Sequence, residues 1–129
     1  MYSNKFNFTR ADDFGKALQR GATFTHQWAW EKETAPQSGE YTPVDLSGFT
    51  AKMQVRKKPG SPIIIELSTA NGRIILGGAL GTIDLLISAT DTENLIPGMY
   101  AYDIELTSDT GFVIRFSEGL FEVEDEITV

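Results

Sequence analysis

Residues 90–107, TDTENLIPGMYAYDIELT, contain the signals of a short helical turn followed by a long β-strand. Thr90 and Glu93 have the S/T-x-x-E spacing of a capping box, which predicts a helical turn that begins at Thr90. Pro97-Gly98 ends that turn, because proline cannot continue a helix and glycine tolerates the backbone angles of the exit. The alternating residues that follow predict a strand with one buried face, formed by Tyr100, Tyr102, Ile104 and Leu106.

A capped turn that leads into a tyrosine-rich strand predicts a tyrosine corner. In such a corner, the hydroxyl of an early strand tyrosine bonds to the backbone a few residues upstream. We assign Tyr100 as the corner residue. Because this motif occurs in antiparallel β-sandwiches, the stretch predicts a sandwich built around the corner strand.

Strand signals continue on both sides of the corner. Alternating apolar residues predict strands at 22–30 and 49–56, and shorter strand signals fall at 2–9, 63–67, 73–76, 82–88, 112–119 and 120–124. Turn formers separate them: residues 32–44 read as an exposed loop, Asn71-Gly72 as a tight hairpin turn, and only a short turn of helix is expected within 10–21. The pattern predicts an all-β, antiparallel sandwich of about seven to nine strands, with a small barrel as the alternative.

The length of 129 residues is that of a single domain. We divide it into an N-terminal arm, 1–20, and a sandwich domain, 21–129. The chain has no cysteine, which excludes disulfides and thiolate chemistry, and its net charge of −7 disfavours nucleic acid as a partner. No apolar run is long enough to span a membrane, and the polar start lacks the apolar centre of a signal peptide.

Catalytic patterns are missing from the sequence. The single histidine, His26, shares a strand face with Phe24, Trp28 and Trp30, so we expect a packed imidazole. The carboxylates at 91–94 and 122–126 have the oxygen ligands that calcium takes, but they also fit a helix cap and a solvated edge. We therefore expect neither an enzyme nor a bound cofactor or metal.

Aromatic residues near the chain start and beside the 32–44 loop are the candidates for partner contacts. The arm either packs on its own domain or adds to a neighbour's sheet. Trp30 is either a core residue or an interface residue, and Trp28, Trp30 and Tyr41 together are the alternative stacking platform for a carbohydrate. The predicted protein-interface residues are Tyr2, Phe6, Phe8, Phe14, Trp30 and Tyr41.

Three stretches together carry a family pattern: GATFTHQWAW at 21–30, VDLSGFTAKMQVR at 44–56, and PGMYAYDIEL at 97–106 with DTGFVIRFSEG at 109–119. Over residues 20–128 the chain resembles small virion proteins of tailed bacteriophages, in particular the N-terminal immunoglobulin-like domain of upper baseplate proteins. These motifs encode strands and turns, so no catalytic residue carries over. Upper baseplate proteins also have C-terminal segments, which hold receptor-binding proteins.

The resemblance implies an immunoglobulin-like sandwich and a structural function. The chain would be a non-enzymatic tail, baseplate or fibre-attachment adaptor, made in the host bacterial cytoplasm and present in the virion. Its partners would be other virion structural proteins, as a homo-oligomer or as copies in a ring, with neither nucleic acid nor membrane. A capsid decoration protein is the alternative position, and a carbohydrate-binding or adhesion module is the alternative function.

Overall fold

Two β-sheets pack face to face in the computed structural model, which describes residues 4–10 and 16–126. In chain order, the elements are β1 (Asn4–Lys5), β2 (Leu18–Gln19), β3 (Phe24–Ala29), β4 (Glu31–Glu33), β5 (Tyr41–Pro43), β6 (Thr50–Arg56), β7 (Ile63–Ser68), β8 (Ile74–Leu76), a 3-10 helix (Gly78–Leu80), β9 (Thr82–Ile87), α1 (Ala89–Glu93), β10 (Gly98–Thr107) and β11 (Val113–Glu124). The larger sheet has the order β1-β11-β10-β6-β7, with β2 also on β11, and the smaller sheet has the order β3-β9-β8.

This strand order is that of an immunoglobulin-like sandwich. Strands β11, β10, β6 and β7 take the places of the G, F, C and C′ strands, and β3, β9 and β8 those of B, E and D. The all-β immunoglobulin-like prediction is confirmed. The alternative of a closed barrel is wrong, because the described strands form two separate main sheets.

The core lies between the inward faces of the two sheets. On β10, the four alternating residues identified in the sequence are all buried, and on β6 the buried residues are Ala51, Met53 and Val55. On β3, Phe24 and Trp28 are buried. Strict alternation therefore located the inward face of each of these strands.

The tyrosine corner forms as predicted, but the helix before it begins earlier. The Tyr100 hydroxyl donates to the backbone oxygen of Ile96 at 2.6 Å. The helix cap is Ser88, in extended conformation directly after β9, and its Oγ accepts from the backbone N–H of Asp91 at 3.2 Å. The capping box at Thr90 is therefore wrong, because Ser88, the residue after β9, already caps the first turn.

The N-terminal segment is part of the sandwich wherever the structure describes it. Asn4 and Lys5 pair in parallel with β11, Phe8 forms a further bridge to Phe121, and β2 pairs with the end of the same strand. Phe8 has no exposed surface. Part of the helical turn expected within 10–21, residues 11–15, lies outside the described residues, and the regular element in 16–21 is the strand β2.

Three further expectations require correction. The 32–44 loop contains the β4–β5 hairpin, in which Glu31 is opposite Pro43. The strands expected at 112–119 and 120–124 are one strand, β11, in which Gly119 continues the pairing. A Cβ at position 119 would lie 2.6 Å from Asn7 Oδ1. Glycine therefore permits the close approach of the N-terminal segment. The Asn71-Gly72 turn does not make a hairpin, because β7 and β8 belong to different sheets.

Candidate functional site

The structure separates the predicted interface residues into different environments. Tyr2 and Phe14 lie outside the described residues. Phe8 is completely buried, so it is a core residue and offers no surface to a partner. Phe6 is half-buried, with its ring 5.0 Å from that of Phe8 and 4.9 Å from His26.

Trp30 and Tyr41 lie at the base and on the second strand of the β4–β5 hairpin. Trp30 is half-buried, its ring 5.3 Å from that of Phe116, and its backbone oxygen accepts from Val44 N–H. Tyr41 is 61% exposed. Because Trp28 is a buried core residue, the three aromatic residues do not make the exposed stacking platform that a sugar ring would need.

Several loops converge at the end of the sandwich from which this hairpin projects. Leu46 N–H donates to Gly78 O at 2.9 Å, and Trp30 N–H donates to Gly81 O at 2.8 Å. The β10–β11 turn lies beside the same region, since a Cβ on Gly48 would lie 3.3 Å from an Asp109 carboxylate oxygen. This end therefore combines the hairpin, the 44–49 loop, the 3-10 helix and the β10–β11 turn.

Large apolar side chains are exposed at that end. Leu80 is 68% exposed, Phe112 is 66% exposed and Val113 is 50% exposed. Together with Tyr41 they form what we call the loop-end surface: Tyr41, Leu80, Phe112 and Val113. Exposed apolar residues gathered in one region are typical of interaction sites, whereas isolated ones are ordinary.

The sequence named Tyr41 but missed the other three residues of the loop-end surface. Leu80 follows Gly77-Gly78, and Phe112 follows Gly111, so each apolar side chain lies in a turn where no strand face can bury it. An apolar residue inside a glycine-containing turn was the available signal. Their location at one end was not predictable, because it depends on which loops the fold brings to that end of the sandwich.

His26 lies in an aromatic cluster and contacts no catalytic partner among the described residues. Its ring is 5.0 Å from Phe8 and 4.9 Å from Trp28. Burial, with a smaller contribution from the positive charge of Lys16, lowers the pKa of His26 to about 4. The lowered pKa means that the imidazole is neutral at physiological pH, and the ring functions as packing. Within the described chain, His26 Nε2 and Trp28 Nε1 have no hydrogen-bond partner.

Two of the carboxylates considered as calcium ligands are paired with arginines. Asp91 contacts Arg73 at 2.9 Å, and that hydrogen bond lowers the pKa of Asp91. Asp125 contacts Arg20 at 2.6 Å, with the same effect on its pKa. Residues 4–10 and 16–126 contain no group of three or more side chains arranged to hold a metal ion.

In the part of the chain that the structure covers, no helix has the length and apolar character needed to cross a membrane.

Of three comparisons with known proteins, the one with solved structures gives matches. No protein-family model matches the chain, and no curated protein matches it. Among solved structures, it is similar to extracellular domains 3–5 of Drosophila OTK, with 18% identity and a TM-score of 0.28. That similarity covers 85% of this chain and 32% of the other, so the chain spans about a third of the length of that structure.

Proposed function

We propose that this chain is a non-enzymatic structural protein of a tailed-phage virion, an adaptor in the tail, baseplate or fibre attachment that acts through protein–protein contacts. The observation that carries the proposal is the loop-end surface. Its four large apolar side chains are each at least half exposed at one end of the sandwich. Exposed aromatic and aliphatic side chains of this size are the usual anchors of protein interfaces.

The sequence resemblance supports the virion assignment. Its three stretches contain β3, β6 and most of β10 and β11, and the last three are neighbouring strands of the larger sheet. The family pattern is therefore a pattern of the sandwich itself, and the loops between its strands are free to vary with the partner. A module of this kind is suited to repeated use around a symmetric particle, where modest contacts at each copy add up.

A capsid decoration protein would use the same kind of surface, so the position in the virion is the first question to answer. Immunogold electron microscopy of purified virions, with antibody raised against this chain, places it directly. We expect gold at the tail tip or fibre base. Gold over the capsid establishes decoration, and particles that are unlabelled and free of the chain by mass spectrometry overturn the virion assignment.

The loop-end surface is tested by substitution. Particles in which the chain carries Leu80→Ser and Phe112→Ser should contain at least tenfold less of it, because these side chains would anchor the contact. Ile75→Ser is the matched control, since Ile75 is 55% exposed but lies on β8 of the smaller sheet. Equal incorporation of both variants would show that the loop-end surface is not the interface.

A further inference from the structure

A shallow depression of about 800 Å³ lies on the outer face of the larger sheet, away from the loop-end surface. Its lining comes from β6, β10, β11, the N-terminal segment and the β6–β7 turn. Ala101 is opposite Arg56 on one side and Leu120 on the other. Its methyl group is too short to fill the space between these longer side chains, so the sheet face is lowest there.

The lining has the opposite charge balance from the chain as a whole. Its cations are Lys5, Arg56 and Arg115, and its carboxylates are Asp103 and Glu118. Three positive charges and two negative charges leave a net charge of +1, in a chain whose net charge is −7. The depression is therefore a local positive region on an acidic protein.

The cations that line the depression form only long ion pairs with its two carboxylates. Glu118 is 3.6 Å from Lys5 Nζ and 3.5 Å from Arg115, so one carboxylate is divided between two cations. Arg115 also lies 3.8 Å from Asp103. These separations exceed the roughly 2.7–2.9 Å of a strong charge-assisted hydrogen bond, which Arg73 and Asp91 reach elsewhere in this chain at 2.9 Å.

Arg56 is held in place but has no carboxylate partner among the described residues. Its guanidinium donates to the backbone oxygen of Ser61 and, at 2.9 Å, to Gln54 Oε1. Gln54 is in turn fixed by a 2.9 Å hydrogen bond to Glu66. A guanidinium has five N–H donors in a planar fork, so Arg56 keeps donors available in a fixed orientation.

We infer that this depression binds a peptide segment of a partner protein that carries one carboxylate. The peptide carboxylate supplies an ionic partner for Arg56 and a closer acceptor for Arg115 than Asp103 or Glu118, which lie 3.8 and 3.5 Å away. The Asp103 and Glu118 oxygens accept from peptide N–H groups. A phosphate dianion would be repelled by those two carboxylates, because it brings no donors to offset them. A polyanion is disfavoured by the net charge of the whole chain.

The size of the depression fits a short extended segment. Strands lie about 4.8 Å apart, so a ligand that crosses from β6 over β10 to β11 spans about 10 Å, or about three to four extended residues. This inference goes beyond the proposed function. It concerns a different surface, and it is tested on the isolated chain, so it stands or fails independently of the virion assignment.

Titration of the ¹⁵N-labelled chain with acetyl-Ala-Ala-Glu-Ala-Ala-amide tests the inference by NMR. We expect the amide signals of Arg56, Ala101, Asp103 and Glu118 to move with the peptide. The peptide with Gln in place of Glu should bind at least tenfold more weakly, because it lacks the charge. Binding of both peptides with equal affinity, or shifts confined to other residues, would overturn the inference.

Variants and competitors complete the test. Arg56→Gln should weaken binding of the Glu peptide at least tenfold, and Arg115→Gln provides a second variant if the first fails to fold. Lys52→Gln should bind normally, because Lys52 is exposed on the same sheet but does not line the depression. If inorganic phosphate binds with the same affinity as the Glu peptide, the depression is a site for a simple anion and the inference is wrong. If the same signals shift without peptide as the protein concentration rises, the occupant is a second copy of this chain and the inference is also wrong.

Discussion

The hydroxyl of Tyr102 donates a hydrogen bond of 2.5 Å to the backbone oxygen of Phe6, 96 positions earlier in the chain. Because this hydroxyl has a single hydrogen, its 2.8 Å bond with Ser117 Oγ is one that Ser117 donates. Burial raises the pKa of Tyr102 above its ordinary range, which keeps the phenol protonated and able to donate. The corner strand thus fixes the N-terminal strand on β11 from within the core.

Replacement of this hydroxyl should loosen the N-terminal strand. Tyr102→Phe leaves the Phe6 oxygen and the Ser117 hydroxyl without their shared partner, and we expect a loss of about 1–3 kcal/mol in the free energy of unfolding. Hydrogen exchange should accelerate at Phe6 and Phe8, whose N–H groups bond to β11 at 3.1 and 2.8 Å. Tyr41→Phe, on the exposed hairpin, is the control and should change neither measurement.

The corner bond makes a separate contribution to stability. Tyr100→Phe removes the hydroxyl that holds Ile96 O at 2.6 Å, and we expect a loss of about 1–3 kcal/mol in the free energy of unfolding by urea. The Lys57 ammonium, 5.2 Å from the Tyr100 ring centroid, can keep its ring contact in the variant. An unchanged urea midpoint would show that the corner bond does not stabilise the fold.

His26 makes stability depend on pH. Burial lowers its pKa in the folded protein from 6.5 to about 4, so the unfolded chain binds the proton first as pH falls. The contribution of the neutral imidazole is fully present above pH 6.5 and is lost as pH falls from about 6.5 to about 4. Calorimetry should therefore show that lowering the pH from 7.5 to 4.5 decreases the Tm of the His26→Gln variant less than the Tm of the unchanged chain. Equal drops would mean that His26 is solvated in the folded state.

Asn71 covers part of the free edge of β7. Its side-chain oxygen accepts from the N–H groups of Ser68 and Arg73, each at 3.0 Å, and its amide donates to Glu66 O at 2.9 Å. Asn71→Ala should therefore lower the free energy of unfolding by about 1–3 kcal/mol. It should also increase self-association in sedimentation experiments, because uncovered strand edges pair with other chains.

The matched control for this substitution is Asn94→Ala. Asn94 is exposed, and its side-chain amide makes one hydrogen bond, to Thr90 O at 3.1 Å. We expect a smaller loss of stability and no change in sedimentation. If the two variants behave alike, Asn71 does not act through the β7 edge.

The inward faces and the corner were predictable because both are local. The period of two along β6 and β10 identifies the buried side of each strand, and the hydroxyl of Tyr100 bonds only four residues upstream. The predicted helix start was wrong for a local reason. Ser88 and Thr90 are both suitable N-cap residues, and Ser88, which follows β9 in extended conformation, is the one that caps the helix. The buried faces of β6 and β10 were therefore better predicted than the start of the helix.

The surfaces were less predictable. Phe8 and Tyr41 were predicted as interface residues on equal terms, yet one is in the core and the other is 61% exposed. The difference is not in their residue type but in pairing, because Phe8 bridges to Phe121 and Tyr41 pairs only within a projecting hairpin. The charged depression was missed because Lys5, Arg56 and Arg115 lie far apart in sequence.

Local sequence patterns were enough to predict most of the strands, the buried faces of β6 and β10, and the tyrosine corner, since each depends on residues within a few positions of one another. Long-range contacts determine that the N-terminal segment joins β11, that four loops lie at one end, and that three cations and two carboxylates line one depression. Each of those contacts joins residues from separate strands or loops. Their proximity follows from the order of strands in the sheets, which hydrophobic periodicity along a single strand does not specify.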